Sequence, residues 1–331
     1  MKTIVYENVY VLSKSAVVGP MEAKGPLKTY FDKTYNDLYF GQKSWELAEI
    51  KLVRDALIML MKKTSVSKSD VELVIGGDLL NQITATTYGS CGVGKSFVGI
   101  YGACSSSVLG MIIGSFFIDS KKINNAITIV SSHNMSSEKQ FRNPTEYGAP
   151  KPDSATFTST GSAACVLSNE KSDIKIDCAT LGRIIDYEQN DVNDMGRVMA
   201  PSAIDTLKRH FEDTGREPDY YDLILTGDLG MYGMEIVKDY LKEVHDIKLT
   251  DNYNDCGVML YDLKKQKEVK AGGSGPVCSA LVVFSYIYQL MQEKKLKRVL
   301  FLATGALFSP ILFYQKENIN SICHAISLEV E

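Results

Sequence analysis

The same short pattern occurs twice in this chain, and that repetition constrains its fold more than any other feature. Val71-Glu72-Leu73-Val74-Ile75-Gly76-Gly77-Asp78-Leu79 resembles Tyr221-Asp222-Leu223-Ile224-Leu225-Thr226-Gly227-Asp228-Leu229, at an offset of 150 (221 minus 71). Cys104-Ser105 leads into an apolar helical pattern, and so does Cys278-Ser279, at an offset of 174 (278 minus 104). The β-branched run 126–130 is matched by 299–303, at an offset of 173 (299 minus 126). A Gly-Asp after a strand is common and means little alone. Three matches in the same order in both halves point to a duplicated α/β unit, with an insertion before Cys278.

Short apolar runs at 73–75, 98–101, 126–130, 163–167, 223–226, 299–303 and 322–328 read as buried strands. Helical patterns lie between them at 45–62, 105–120, 203–214, 235–244 and 278–294. Strands that are apolar throughout and alternate with helices require a sheet covered on both faces. The polar, turn-rich stretch 168–177 marks the boundary between the halves, giving units of 1–172 and 173–331.

Composition removes several classes of function. The chain has 331 residues, a net charge of −4 and no long basic run, which argues against nucleic acid as a partner. Its seven cysteines are odd in number and include no CxxC pair, so reduced thiols are expected rather than a disulfide framework. No closely spaced Cys/His ligand pairs suggest zinc, and no metal site is expected. The apolar runs 108–118 and 280–291 are too short or too interrupted to span a bilayer, so any membrane role comes through a partner.

Cys104 leads the candidates for chemistry. It follows the strand at 98–101 and precedes an apolar helix, where unpaired amides and the positive helix end can lower a thiol pKa to ~3.5–7.5. A small buried residue at a strand–helix junction is the equally good bland reading, and it is the one expected for Cys278. A nucleophile needs a base, and the chain has only four histidines. His210 and His245 sit in charged helical patterns and are expected to be exposed. His133 closes the strand at 126–130, at the carboxyl end where α/β folds bind ligands. His324 lies in the last strand, where core packing is expected and an inward contact is the alternative. Asp78 is expected to cap a helix, whereas Asp228 is open to either a structural or a site role. Gly272-Gly273-Ser274-Gly275-Pro276 lacks the features of a nucleotide loop and is expected to let backbone approach a ligand or the Cys104 turn. The segment 138–148 reads as a functional loop. Within it Arg142 suits bidentate binding of a carboxylate, with a surface ion pair as the alternative.

These residues resemble a known family. Gly102-Ala103-Cys104-Ser105-Ser106-Ser107, the duplicated halves and the Gly-rich turn before the second core helix are similar to the thiolase and ketoacyl synthase superfamily. More closely, the chain resembles the stage V sporulation protein AD family through Gly77-Asp78-Leu79-Leu80-Asn81-Gln82, Ser131-Ser132-His133-Asn134, Pro144-Thr145-Glu146-Tyr147-Gly148, Ala271-Gly272-Gly273-Ser274-Gly275 and Ala303-Thr304-Gly305-Ala306-Leu307. The resemblance implies a thiolase-like α/β fold with layered α-β-α-β-α architecture. It also implies a protein that binds dipicolinic acid, with or without calcium, for loading into the developing spore. Its partners would be membrane proteins of the same system, and its place the cytoplasmic face of the forespore inner membrane, peripherally bound. A homodimer and no cofactor are further implications.

Thiolases carry His-Pro in the Gly-rich turn, where this chain has Gly273-Ser274, so a full condensing reaction is not expected. The expected ligand site is a degenerate pocket formed by Cys104, His133, Arg142, Tyr147, Asp228, Ser274 and His324, with Lys43 and Phe141 as further candidates. The alternative is an acyltransferase or condensing-type enzyme in which Cys104 is the catalytic acyl-thioester nucleophile.

Overall fold

The computed structural model describes residues 2–141 and 150–331. Arg142 and Tyr147 lie outside the described residues. Ten principal strands build one large sheet. They are β1 (Tyr10–Val18), β2 (Leu73–Gly77), β3 (Ser96–Gly99), β4 (Asn125–Ser132), β5 (Gly161–Ser168), β6 (Ile174–Thr180), β7 (Leu223–Thr226), β8 (Tyr253–Asp255), β9 (Arg298–Leu307) and β10 (Asn320–Val330). Their order across the sheet is β8-β7-β9-β10-β6-β1-β5-β4-β2-β3. Each run of five strands therefore has the same spatial order: third, second, fourth, fifth, first.

Strand directions repeat as well. β2 pairs parallel with β3 and β4, as β7 does with β8 and β9. β5 runs antiparallel between β4 and β1, as β10 does between β9 and β6. The two runs meet at a single β1–β6 register pair, Tyr10 with Lys175.

Strand alternation sorts side chains into three cores. Leu73, Ile75, Ala126 and Val130 of the first run face the same central core as Val299, Phe301 and Ala303 of the second. Val74, Ile127 and Ile129 point the opposite way, onto α1 (Trp45–Lys63). Ile224, Leu300 and Leu302 point outwards in the second run, onto α4 (Met195–Thr214) and α5 (Gly230–His245). The central core is filled by α2 (Ser106–Asp119) and α6 (Pro276–Val282), and between α2 and α4 in the chain lies α3 (Asn134–Phe141). The result is helix, sheet, helix, sheet, helix.

Local chemistry explains the helices that matter for the site. α1 starts at Ser44, whose side chain accepts from the Leu47 amide, and ends on Lys62 and Lys63. α6 is buried on every side, as its mostly apolar sequence requires, with Ser279 its one polar side chain. α2 packs tightly: a Cβ on Gly114 would lie 2.8 Å from Leu167 Cδ1. The central helices touch through Ser107 and Ser279, whose hydroxyls are 3.0 Å apart.

Some expectations need correction. The polar stretch expected at 168–177 becomes strand from Ile174 onwards. Its charged residues find partners, as in the 2.7 Å ion pair of Asp177 with Arg216. His210 is buried rather than exposed. It lies on the apolar face of α4, with its ring nitrogens on Thr180 Oγ1 (2.8 Å) and Tyr221 Oη (2.6 Å). Among the described residues no helix is long and apolar enough to cross a membrane.

Candidate functional site: the Cys104 turn and its cavity

After β3 the chain turns through Gly102 and Ala103 to Cys104 and enters α2. Ala103 is held at a φ of 49°, a left-handed conformation that costs ~1–2 kcal/mol for a residue with a Cβ. Two serines hold the turn. The amide and hydroxyl of Ser105 both donate to the Gly102 carbonyl, at 3.0 and 2.6 Å. The amide and hydroxyl of Ser106 both donate to the Ala103 carbonyl, at 3.3 and 2.8 Å, and the Gly102 amide donates to Ser106 Oγ at 3.1 Å. Such local bonds are why serine suits a helix entrance.

The second half of the chain closes over this turn. Gly305 of β9 approaches so nearly that a Cβ there would lie 2.3 Å from the Gly102 carbonyl oxygen. The Gly-rich turn at 272–275 behaves as the sequence suggests, with Gly272 at a φ of 143° and Gly275 at 106°. It brings Ser274 Oγ to 3.5 Å from Cys104 Sγ.

A cavity of about 90 Å³ opens beside Cys104, walled by Ala103, Phe141, Thr156, Met199, Ser274 and Phe308 among others. A wider one of about 560 Å³ shares Leu79, Tyr101, Phe141 and Phe308 with it and so adjoins it. Phe141 and Phe308 face each other at 5.9 Å between ring centroids. Glu138 also lines the inner cavity and pairs with Lys151 at 2.7 Å.

The electrostatics correct the expectation of an activated thiol. Burial pushes the Cys104 thiol up to about 12, and the nearby Asp228 carboxyl adds to the rise. The Ser274 hydroxyl and the Gly275 amide oppose it only in part. Desolvation therefore outweighs the helix end, whose first helical residue is Ser106.

Asp228 follows β7 and is fully buried. Neither of its carboxyl oxygens has a hydrogen-bond partner among the described residues. Burial, and then the Asp255 carboxyl, hold it well above the ordinary range, while the amides of Thr304 and Gly275 pull the other way.

The two candidate histidines bond to groups other than the thiol. His133 Nε2 donates to the Leu38 carbonyl at 2.8 Å, Nδ1 accepts from the Met135 amide at 3.2 Å, and burial lowers the ring to about 4. Using it on a ligand requires breaking one of those bonds. His324 accepts from the Gly182 amide on Nδ1 at 3.0 Å, and its buried Nε2 has no partner among the described residues. Neither ring is on the wall of the inner cavity. Lys43 is exposed and is likewise absent from that wall. Asp78 does more than cap a helix. It accepts from the Leu80 amide (2.9 Å), the Thr86 amide (2.8 Å) and the Thr86 hydroxyl (2.7 Å), bracing the whole turn.

The structure thus joins Cys104, Ser274 and Phe141, with Asp228 behind them. Sequence reasoning does not find Thr156, Met199 or Phe308. They are apolar or small and carry no chemical signature, though Phe308 directly follows the Gly-containing stretch 303–307.

Two like-folded layers sharing a central helix pair, with a cysteine turn at their junction, define a thiolase-like protein. OleA from Xanthomonas campestris has this fold, at a TM-score of 0.62 and 14% identity over 98% of this chain and 100% of that one. So does 3-oxoacyl-acyl-carrier-protein synthase III from Aquifex aeolicus VF5, at a TM-score of 0.59 and 12% identity over 97% and 99%. The chain belongs to the stage V sporulation protein AD family, whose model matches residues 1–329. It is 45% identical to stage V sporulation protein AD of Bacillus subtilis (strain 168) over 329 residues, 99% of this chain and 96% of that protein. Membership gives it a role in sporulation.

Proposed function

We propose that the protein binds dipicolinate (pyridine-2,6-dicarboxylate), alone or as its calcium complex, in the cavity beside Cys104. It then works with membrane proteins of the same sporulation system from a peripheral position on the forespore inner membrane. The observation that carries this reading is the setting of the thiol. A cavity opens beside it, but burial raises the thiol and so favours its protonated form. Among the described residues no imidazole lines the cavity to take its proton. Carbon–carbon condensation needs a thiolate and a base, whereas ligand binding needs neither.

The cavity's chemistry suits a flat aromatic acid. Phe141 and Phe308 offer ring faces, and Ser274 and Cys104 offer neutral donors at the closed end. The neutral calcium chelate would also tolerate Glu138 on the wall. Arg142 and Tyr147 follow Phe141 closely in the chain and remain candidates for the second carboxylate and the ring.

Calorimetric titration with dipicolinate, with and without calcium, tests the reading. Saturable binding is expected, weakened at least about tenfold in Phe141→Ala through loss of ring contact. A flat titration at millimolar ligand would overturn it. The left-handed Ala103, which presents Cys104 to the cavity, favours acyl transfer as a second reading. Intact mass after incubation with acyl thioesters decides between the two. An adduct that is lost in Cys104→Ala would establish acyl transfer.

A homodimer is part of the same proposal. β3 is an edge strand that exposes Phe97, with Tyr101 exposed just beyond it, and an unpaired apolar edge invites pairing. The short helix Pro310–Tyr314 exposes Ile311, Leu312 and Tyr314 beside the outer cavity, and we assign that face to a membrane partner.

A further inference from the structure

Three wall residues of the inner cavity, Thr156, Thr158 and Ser274, lie on or beside a small ribbon that is separate from the main sheet. In it Phe157–Thr158 pairs parallel with Gly273–Ser274, two residues on each side. The Phe157 amide donates to the Gly272 carbonyl and the Ser159 amide to the Ser274 carbonyl, both at 2.8 Å. A lone pair of strands is marginally stable at best. Contacts from outside must therefore hold the ribbon, and with it Ser274, whose hydroxyl lies 3.5 Å from Cys104 Sγ.

One carboxyl oxygen supplies much of that hold. Glu22 starts the short turn Glu22–Lys24 and is fully buried. Its Oε1 accepts from the Thr160 amide at 2.9 Å and from the Tyr261 hydroxyl at 2.5 Å. The Tyr261 hydroxyl oxygen lies 3.0 Å from Ser159 Oγ. Glu22 thus reaches both residues that follow the Phe157–Thr158 strand, Thr160 through its backbone and Ser159 through its side chain. The Tyr261 ring backs the ribbon as well. It meets the Phe157 ring edge-on at 5.8 Å between centroids, and a Cβ on Gly273 would lie 2.6 Å from it.

The Glu22 turn is fixed in its own right. Gln266 Nε2 donates to the Met21 carbonyl at 2.8 Å, and the Gly19 amide donates to the Thr160 carbonyl at 2.9 Å. A Cβ on Gly25 would lie 2.3 Å from the Leu260 carbonyl oxygen. Such an anchor costs free energy, since Glu22 Oε2 is buried with no partner among the described residues. Packing alone gives no reason for a carboxyl there.

We propose that Glu22 is a positioning residue for the cavity: through Tyr261 and Ser159 it fixes the ribbon, and so sets how closely Ser274 covers the Cys104 thiol and where Thr156 and Thr158 stand on the wall. Glu22 is not itself on that wall and acts through its hydrogen-bonded neighbours. The proposal deepens the ligand-binding reading above, and its affinity measurement rests on that reading. The role belongs to the Glu22 oxygen as an acceptor, so glutamine can fill it and alanine cannot.

Alkylation of Cys104 by iodoacetamide, followed by mass on its peptide, reads the cover over the thiol directly. Exposed Cys91 serves as the reference, and buried Cys165 in β5 reports loosening of the whole fold. Glu22→Ala and Tyr261→Phe are each expected to speed Cys104 alkylation about fivefold or more, the effect of losing one hydrogen bond, with Cys165 unchanged. The double variant is expected to do no more than Glu22→Ala alone, because both changes cut one chain of bonds. Glu22→Gln is expected to stay near wild type. Dipicolinate affinity by calorimetry is expected to fall in the two damaging variants and to hold in Glu22→Gln.

Unchanged Cys104 alkylation in both single variants overturns the proposal. So does a rise at Cys165 equal to that at Cys104, which marks a role in the fold as a whole, and so does a Glu22→Gln that behaves like Glu22→Ala. If Glu22→Ala does not fold, Tyr261→Phe reads the same link. A wild type that binds no dipicolinate while the alkylation pattern holds sinks the ligand reading and supports the positioning role.

Discussion

Five buried acids among the described residues carry protons at higher pH than their types ordinarily do, and three buried histidines lose theirs at lower pH. Glu49 is raised to about 8, Glu22 to about 7 and Asp255 to about 6, and Asp228 and Asp78 are raised as well, in each case chiefly by burial. His133, His210 and His324 are lowered to about 4 by the same cause. An acid raised on folding stabilises the fold below its unfolded pKa and loses that contribution as pH climbs to the folded value. A histidine lowered on folding does the reverse between ~6.5 and about 4. The two sets oppose each other below pH ~6.5, and above it only the acids remain. Stability is therefore expected to fall from pH ~6.5 to ~8. Glu49→Gln should remove about 2 kcal/mol of that fall, since one proton is worth ~1.4 kcal/mol per pH unit. Urea melts at the two pH values check this, and an unchanged slope in the variant would count against it. At this scale the sequence reveals less of the site than of the fold. Cys104 and Ser274 are legible from their turns, whereas the thiol's protonation is not. It depends on burial, and on an acid that lies 124 residues away in the chain (228 minus 104).

Among elements, strands that are apolar throughout are legible in the sequence, and those that mix in polar residues are not. β1 escapes notice because Ser13, Lys14 and Ser15 interrupt its apolar pattern. Ser15 is nonetheless fully buried and donates to the Ala56 carbonyl at 2.8 Å. β6 reads as a turn because Lys175 and Asp177 alternate with its buried residues. In both cases a tertiary partner, invisible in a local window, satisfies the polar group. The glycine of β9 offers a test of how elements fix the site. Gly305→Ala places a methyl against the Gly102 carbonyl, with no flexible side chain able to yield. A loss of about 1–3 kcal/mol is expected from denaturant melts, with the Cys104 turn displaced and dipicolinate binding weakened. A variant as stable as wild type would mean that β9 and the turn are less closely packed than they stand here.

The whole molecule repeats one strand order twice, yet the site belongs to neither copy. Cys104, Tyr101 and Phe141 come from one half of the sequence, and Ser274, Met199 and Phe308 from the other. The repeats in sequence make this duplication legible, while the meeting of the halves is visible only once the central helices are seen in contact. An exposed β3 edge at the end of the sheet predicts self-association. Sedimentation should show a dimer for wild type and a monomer for Phe97→Lys, which sets a charge on that edge. Monomeric wild type at micromolar concentration would rule out this edge as an interface. The division of the site also has a consequence in time. Ser274 lies 170 residues beyond Cys104. Chains grow at roughly 5–20 residues per second, so the thiol waits roughly 10–30 s on the ribosome for its covering turn. During that interval the thiol lacks the burial that raises it in the finished protein, and it is the more open to oxidants for that.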